Sequence, residues 1–313
     1  GTPGARQLAE ELKAAITVFE TGPILPEDAA VHHPKARWVF QELRQRTLVM
    51  GILNVTPDSF ADEAPSVDAD EAVDRALRME ADGADLIDVG GESTRPGAES
   101  VSADEERRRV LPVVERLARR VTVPISIDTY KAPVAEDALA AGAVVVNDVS
   151  GLSYDPSLGE VVARRGAALV LMHTRGRSRT MYREAVYEAV AREVTTELRA
   201  AIERATGAGV AFDRLVVDPG LGFAKRADDS YRVLASLPDL AALDRPLLVG
   251  PSRKSFLTRA IGAVPPAERD WGTAAAVAAS VLLGAHIVRV HRVAAMRDVV
   301  RVIDALLADS EGA

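Results

Sequence analysis

Two aspartates stand alone at the ends of apolar runs: Asp128 closes PISID and Asp218 interrupts LVVDPG. A charge buried without a partner is very costly, so each must meet a cation, a pair of donors or a ligand. A carboxylate accepts two parallel hydrogen bonds, and an aminopyrimidinone edge offers that pattern, an N–H beside an exocyclic NH₂. Asn147, at the end of AVVVND, both donates and accepts, which suits a heterocycle. Lys254 adds a cation for a carbonyl oxygen or an aromatic carboxylate. Arg289 and His291 lie two apart in HIVRVH, so on a strand they project to one side. With Arg95 and Arg253 they form a positive patch fit for an anion such as a diphosphate. A second account of Arg289 is an internal ion pair with Asp88 or Asp218.

Metal chemistry is limited to hard, oxygen-rich sites. There is no cysteine, no HxH and no HExxH, and His173 and His291 stand singly. His173 reads as a packed, hydrogen-bonded histidine. Oxygen ligands with a diphosphate would suit Mg²⁺, which keeps waters and needs few protein groups; Asn54 is the candidate ligand.

These residues need elements to gather them. From residue 48 onward, short apolar runs alternate with longer segments of helical pattern. The runs are 48–54, 86–90, 124–128, 143–148, 168–173, 215–220, 246–250 and 286–291. They are continuously apolar, as strands covered on both faces are. The helical segments carry their own signals. One begins at Ser102 with Glu105 three residues on, a capping-box pattern, and Pro112 predicts a kink within it. Another is expected to run from Tyr182 to Gly209. Alternating strands and helices imply right-handed crossovers and a parallel sheet. Eight such units predict an α/β fold, a (β/α)₈ TIM barrel over 48–313, with an open doubly wound sheet as the alternative. Residues 1–47 fall outside the repeat and form an N-terminal extension, partly helical, with a possible hairpin closing the barrel bottom.

In such barrels, active sites form where the strands end. Here every one of the eight ends carries polar groups: Asn54, Asp88 leading to Glu92, Asp128, Asn147-Asp148, His173, Asp218, Ser252-Arg253-Lys254-Ser255, and Arg289 with His291. One polar residue closing a strand is an ordinary turn residue. Eight together indicate a site.

Composition narrows the class. The chain has 313 residues, is 48% hydrophobic and only 4% aromatic, so its core must be built from Ala, Val, Leu and Ile. Its net charge is 38 − 46 = −8, with no long basic stretch, which argues against nucleic-acid binding. No apolar run reaches the ~18 residues of a membrane span, and the N-terminus has no signal-peptide core. A cytoplasmic protein acting on small molecules is expected.

In order along the chain, MGILNVTPDSF, IDVGGESTRPGA, SIDTYK, VVNDVSG, DPGLGF, GPSRKSF and VRVH resemble the dihydropteroate synthase family over about residues 48–308. The resemblance implies condensation of (7,8-dihydropterin-6-yl)methyl diphosphate with 4-aminobenzoate, without a protein nucleophile. By likeness, Asp128, Asn147, Met172, Asp218, Phe223 and Lys254 hold the pterin. Asn54 binds Mg²⁺ with the diphosphate, which Thr94, Arg95, Arg289 and His291 contact. Phe60, Thr94, Pro96, Lys254 and Ser255 form the aminobenzoate site, and catalysis falls to Asp128, Asp218, Lys254, Arg289 and His291. GESTRPG and the segment after Asn54 become loops that close over the substrates. Family likeness also implies a homodimer through the later helices. Two other accounts stay open: a pterin-dependent methyltransferase, which has less use for STRPG, SRKS and RVH together, and a catalytically silent pterin-binding paralogue. This chain departs from the family at Ala61-Asp62-Glu63-Ala64, where a glycine hinge is missing. It departs again at Thr174-Arg175-Gly176, at Ala224 for a glycine, and at Arg292 for an aspartate.

Overall fold

The computed structural model describes residues 43, 46–56, 69–94, 97–177 and 179–311. Eight parallel strands form a closed barrel. They are β1 (Leu48–Asn54), β2 (Leu86–Gly90), β3 (Ile125–Asp128), β4 (Val145–Asp148), β5 (Ala168–Met172), β6 (Leu215–Asp218), β7 (Leu248–Val249) and β8 (Ile287–Val290). Their order is β6-β5-β4-β3-β2-β1-β8-β7. A parallel bridge between Val217 and Leu247 joins the two ends, supported by Val217 N–H donating to the Pro246 carbonyl at 2.9 Å. Closure removes the exposed edges that an open sheet would leave.

Each strand leads to helix on the outside. The helices are α1 (Ala69–Ala81), α2 (Ala103–Arg120), α3 (Ala132–Ala141), α4 (Ser157–Arg165), α5 (Val190–Gly207), α6 (Ala227–Ala235), α7 (Thr258–Ile261), α8 (Asp270–Leu282) and α9 (Val293–Glu311). Ser102 caps α2 by accepting the Glu105 N–H at 3.2 Å. The Glu105 carboxylate turns instead to Arg108 and Arg109. The helix continues through Pro112. Gly142 ends α3 in the left-handed region at φ 119, where a Cβ would lie 2.6 Å from the Ala118 Cβ. Glycine is needed there both for the turn and for the approach of α2.

The expected helix from Tyr182 begins only at Val190. Glu193 reaches back to the N–H groups of Glu188 and Ala189, at 2.8 and 2.7 Å, and so fixes the start. Residues 182–189 are released to cover the barrel mouth, where the Tyr187 hydroxyl donates to the Ala224 carbonyl at 2.8 Å. Most of the N-terminal extension, and its possible hairpin, lies outside the described residues. Of its described part, Leu43 is buried with Leu48, Met50, Leu86 and Ile287. Arg46 pairs with Asp85 at 2.6 Å, and Thr47 Oγ1 donates to Asp304 at 2.8 Å.

The core has two parts. Met50, Val145, Val170, Val216 and Leu248 belong to the apolar filling of the lower barrel. A larger layer, including Leu169, Val146, Ile127, Leu117 and Val277, joins the strands to the helices. Val, Ile, Leu and Ala do nearly all of this packing, as so few aromatics require. Leu169→Ala, in a residue with no exposed surface, should cost about 2–5 kcal/mol. It should lower the urea midpoint without changing the slope of the transition.

Candidate active site

Parallel register brings the polar strand ends together. Asn54 is opposite Gly90, Gly90 opposite Asp128, and Asp128 opposite Asn147. Farther round, Met172 is opposite Asp218. The absence of a side chain at Gly90 leaves Asn54 and Asp128 on the two flanks of an open position; a Cβ there would lie 3.5 Å from that of Asp128.

Arg289 reaches into this ring from β8. Its Nε donates to Asp88 at 2.6 Å and its Nη2 to Asp128 at 2.7 Å. Asn147 Nδ2 donates to the same Asp88 oxygen at 2.9 Å. So the arginine's internal pairing is real, with Asp88 as expected and with Asp128 as its second partner. Burial pulls the Arg289 pKa down, but Asp88 and Asp128 outweigh it and the net shift is upward. Asp128 is raised to about 7, chiefly by burial, with Arg289 opposing. Burial also raises Asp218, against Lys254 and the Gly220 N–H that it accepts at 2.7 Å. Lys254 falls to about 8 through burial. Its Nζ donates to the Leu221 carbonyl at 2.6 Å and lies 4.5 Å from the centre of the Phe223 ring. Met172 packs with Tyr130 and Val149, and Phe223 lies against that cluster, giving the ring an apolar wall. Asp88 Oδ1 and Ser126 Oγ are buried without a partner among the described residues. Orphaned acceptors of this kind are what a polar ligand satisfies.

His291 Nδ1 shares a 2.9 Å hydrogen bond with Ser252 Oγ. Arg253 is not in the positive patch: its guanidinium is bound to Asp270 at 2.9 and 3.2 Å. Its N–H donates to Thr273 Oγ1 at 3.0 Å, and its carbonyl accepts from Arg269 at 2.9 Å. The grip has a purpose. Arg253 has φ 58, a left-handed conformation unusual outside glycine, and it sits between Ser252 and Lys254. The first turns of α8 therefore hold the strained residue that sends Ser252 to His291 and Lys254 to the ring. The departure at Arg292 joins this grip, donating to Asp270 at 3.2 Å. Ser255 is exposed at the start of the next turn.

Glu92 explains itself as an anchor. It accepts from the Tyr130 hydroxyl at 2.8 Å, from Lys131 at 2.5 Å and from the Val101 N–H at 3.0 Å. It thus ties both limbs of the GESTRPG loop to the end of β3, and Lys131 goes on to the buried Glu106. Thr94 lines a cavity of about 550 Å³ over the mouth, together with Tyr130, Tyr154, Arg177 and Phe223. Phe60, Arg95 and Pro96 lie outside the described residues. Asn54 stands at the end of β1, half-buried. No group of three or more His, Asp or Glu side chains able to hold a metal occurs among the described residues. Asn54 is thus an oxygen donor suited to Mg²⁺ only where substrate oxygens complete the shell.

Sequence reasoning left three groups without a role: Lys225, Glu197 and Asp270. Lys225 is buried, with its Nζ 2.8 Å from His173 Nδ1. His173 Nε2 meets Glu197 at 3.0 Å, in keeping with a packed, hydrogen-bonded histidine. Burial lowers His173 to about 4, leaving the ring neutral. The third group is the Asp270 clamp. A lysine ending a glycine-rich loop, and an aspartate opening a helix, are the only traces these leave in the sequence.

The family model described as pterin binding enzyme matches residues 50–291. The chain is 45% identical over 262 residues to a dihydropteroate synthase of Synechocystis sp., covering 84% of this chain and 91% of that one. It is 46% identical over 265 residues to one of Mycobacterium leprae, covering 83% and 93%. Among solved structures, dihydropteroate synthase of Xanthomonas albilineans with 4-aminobenzoic acid superposes with a TM-score of 0.79 at 43% identity, covering 84% and 94%. That of Burkholderia cenocepacia complexed with 7,8-dihydropteroate gives 0.77 at 44%, covering 86% and 94%. In this chain no helix among the described residues is long and apolar enough to cross a membrane.

Arg289 is the main counterweight to burial at Asp128. Arg289→Met should therefore move the Asp128 titration above its wild-type value of about 7. A ¹³C-carboxyl NMR titration reads this; a midpoint unchanged or lowered would contradict the electrostatic account.

Proposed function

The chain belongs to the pterin-binding enzyme family, and we propose that its site performs the dihydropteroate synthase reaction. (7,8-Dihydropterin-6-yl)methyl diphosphate and 4-aminobenzoate give 7,8-dihydropteroate and diphosphate, in folate synthesis. The observation that carries this is the ring of Asp128, Asn147, Asp218 and Lys254 walled by Met172 and Phe223. It pairs donor-accepting carboxylates with an apolar face, as a flat aminopyrimidinone needs.

Asp128 and Asp218 accept from the pterin's N–H groups, Asn147 bonds the ring edge, and Lys254 meets its carbonyl. Arg289 and His291 face the diphosphate with Thr94 and Arg95. Phe60, Thr94, Pro96, Lys254 and Ser255 take the aminobenzoate. Asn54 would hold Mg²⁺ with the diphosphate, and the ion would supply charge neutralisation for the leaving group.

The path is dissociative. As the bond from the exocyclic methylene to the diphosphate oxygen breaks, Arg289 and His291 stabilise the departing anion. Asp128 and Asp218 favour the positive charge that develops on the dihydropterin. The amine of 4-aminobenzoate then forms the new C–N bond and loses a proton. No protein nucleophile takes part, so rapid quenching should show no covalently labelled enzyme.

Diphosphate release tests the activity. It should depend on 4-aminobenzoate, accompany dihydropteroate formation and fall by on the order of 100-fold or more in Asp128→Ala. Pterin binding by the wild type without turnover would identify a silent paralogue instead.

We also place a second copy of the chain against α8 and α9. These adjoining helices carry Trp271, 88% exposed, Val302 and Leu306, apolar surface of the kind a homodimer covers. Trp271→Glu should convert a dimer to a monomer in sedimentation velocity; an unchanged dimer would put the interface elsewhere.

A further inference from the structure

Lys225 is 1% exposed, the largest side chain buried to that degree among the described residues. A buried ammonium is costly, and a well-packed apolar side chain would cost less. It is retained here with a full set of acceptors. Besides His173 Nδ1 at 2.8 Å, its Nζ donates to the carbonyls of Gly220 and Phe223, both at 3.1 Å, and lies 3.4 Å from that of His173.

Those acceptors belong to two separate elements. His173 follows β5, while Gly220 and Phe223 belong to the loop between β6 and α6. The loop is one that local preference cannot hold. Gly220, Gly222 and Ala224 are all left-handed, at φ 66, 77 and 46. For Ala224 that conformation costs about 1–2 kcal/mol. A Cβ at Gly220 would overlap the His173 carbonyl oxygen, so the loop is pressed directly onto the end of β5. Tyr187 adds a second tie at the Ala224 carbonyl.

The loop's cargo is the pterin wall. It presents the Phe223 ring and the Leu221 carbonyl, and both touch Lys254. Behind His173 stands Glu197 on α5, which also binds Arg175. A continuous set of contacts therefore runs from an outer helix, through His173 and Lys225, to the residues that meet the ligand.

We propose that Lys225 is a positioning residue: it staples the β6–α6 loop to the end of β5 and so sets Phe223 and Lys254 for the pterin. This rests on the pterin reading of the site. The test compares full-length wild type with Lys225→Met, which keeps the length and removes the donors. Calorimetry measures the binding of dihydropterin-methyl diphosphate, and steady-state kinetics give the aminobenzoate KM. The expected result is a pterin Kd raised on the order of tenfold or more, from the loss of the Nζ hydrogen bonds, with the aminobenzoate KM raised as well, since Lys254 serves both substrates. A ¹⁹F label on the Phe223 ring should give one sharp resonance in the wild type and a broadened or split one in Lys225→Met.

An unchanged pterin Kd and an unchanged ¹⁹F line in folded Lys225→Met would overturn the proposal. A wild type that binds no pterin diphosphate would overturn the pterin reading itself. Should Lys225→Met fail to fold, Lys225→Gln keeps a polar head in the pocket but cannot make all the hydrogen bonds of Nζ. A several-fold rise in pterin Kd then supports the staple, and an unaltered Kd refutes it.

Discussion

Arg289 lies between Asp88 and Asp128, with bonds of 2.6 and 2.7 Å, at the mouth of a barrel whose lower half is apolar. Two buried carboxylates repel one another, and Arg289 offsets part of the rise that burial and Asp88 impose on Asp128. The guanidinium's planar fork serves both at once, through Nε and Nη2. It also competes with any ligand for Asp128. A ligand that took the Asp128 carboxylate would free one arm of Arg289 for a second group. One ion pair thus balances the buried charge of the barrel mouth and would couple binding at Asp128 to binding at Arg289.

A barrel can hold that concentration of charge because its register does the gathering. Asn54, Gly90, Asp128 and Asn147 are successive partners around four strands. Each is tied to its neighbours by backbone hydrogen bonds, independent of what the side chains do. The loops have no such ladder. Leu152, Ala224 and Arg253 are left-handed and follow β4, β6 and β7. Each is held by a polar group outside the ring: Asp148 accepts the Leu152 N–H at 2.5 Å, Tyr187 donates to the Ala224 carbonyl while Lys225 holds the preceding Phe223 carbonyl, and Asp270 with Arg269 and Thr273 grips Arg253. Asp148 holds that bond while burial raises its pKa to about 6. Strained loops near a ligand site persist where such surroundings over-determine them.

This division also explains what could be read from the residues alone. The strands were visible because both their faces are covered and their runs are apolar throughout. β1 and β2 match their expected limits, whereas β7 shrinks from five residues to Leu248–Val249. Asp128, Asn147 and Asp218 stood out as polar interruptions of such runs. The braces did not, because nothing local distinguishes them. Glu197 is one glutamate among several on α5, and its partner His173 lies 24 residues away. Asp270 looks like an ordinary acidic residue in a first helical turn, yet it answers an arginine 17 residues earlier. The helical pattern from Tyr182 misled for a related reason: its apolar spacing serves the barrel mouth, and Glu193 stops the helix from forming there.

The departures from the family pattern follow the same logic. Replacing glycine by Ala224 removes freedom from the β6–α6 loop, beside the carbonyls that Tyr187 and Lys225 already restrain. Replacing aspartate by Arg292 adds a second cation to Asp270, already paired with Arg253. Burial pushes Asp270 upward, but the two arginines outweigh it and hold the carboxylate below its usual range. Both changes stiffen a loop that delivers a side chain to the ring, Phe223 in one case and Lys254 in the other. A stiffer loop loses less entropy when the ligand arrives, so part of the ordering cost of binding is met in advance by folding.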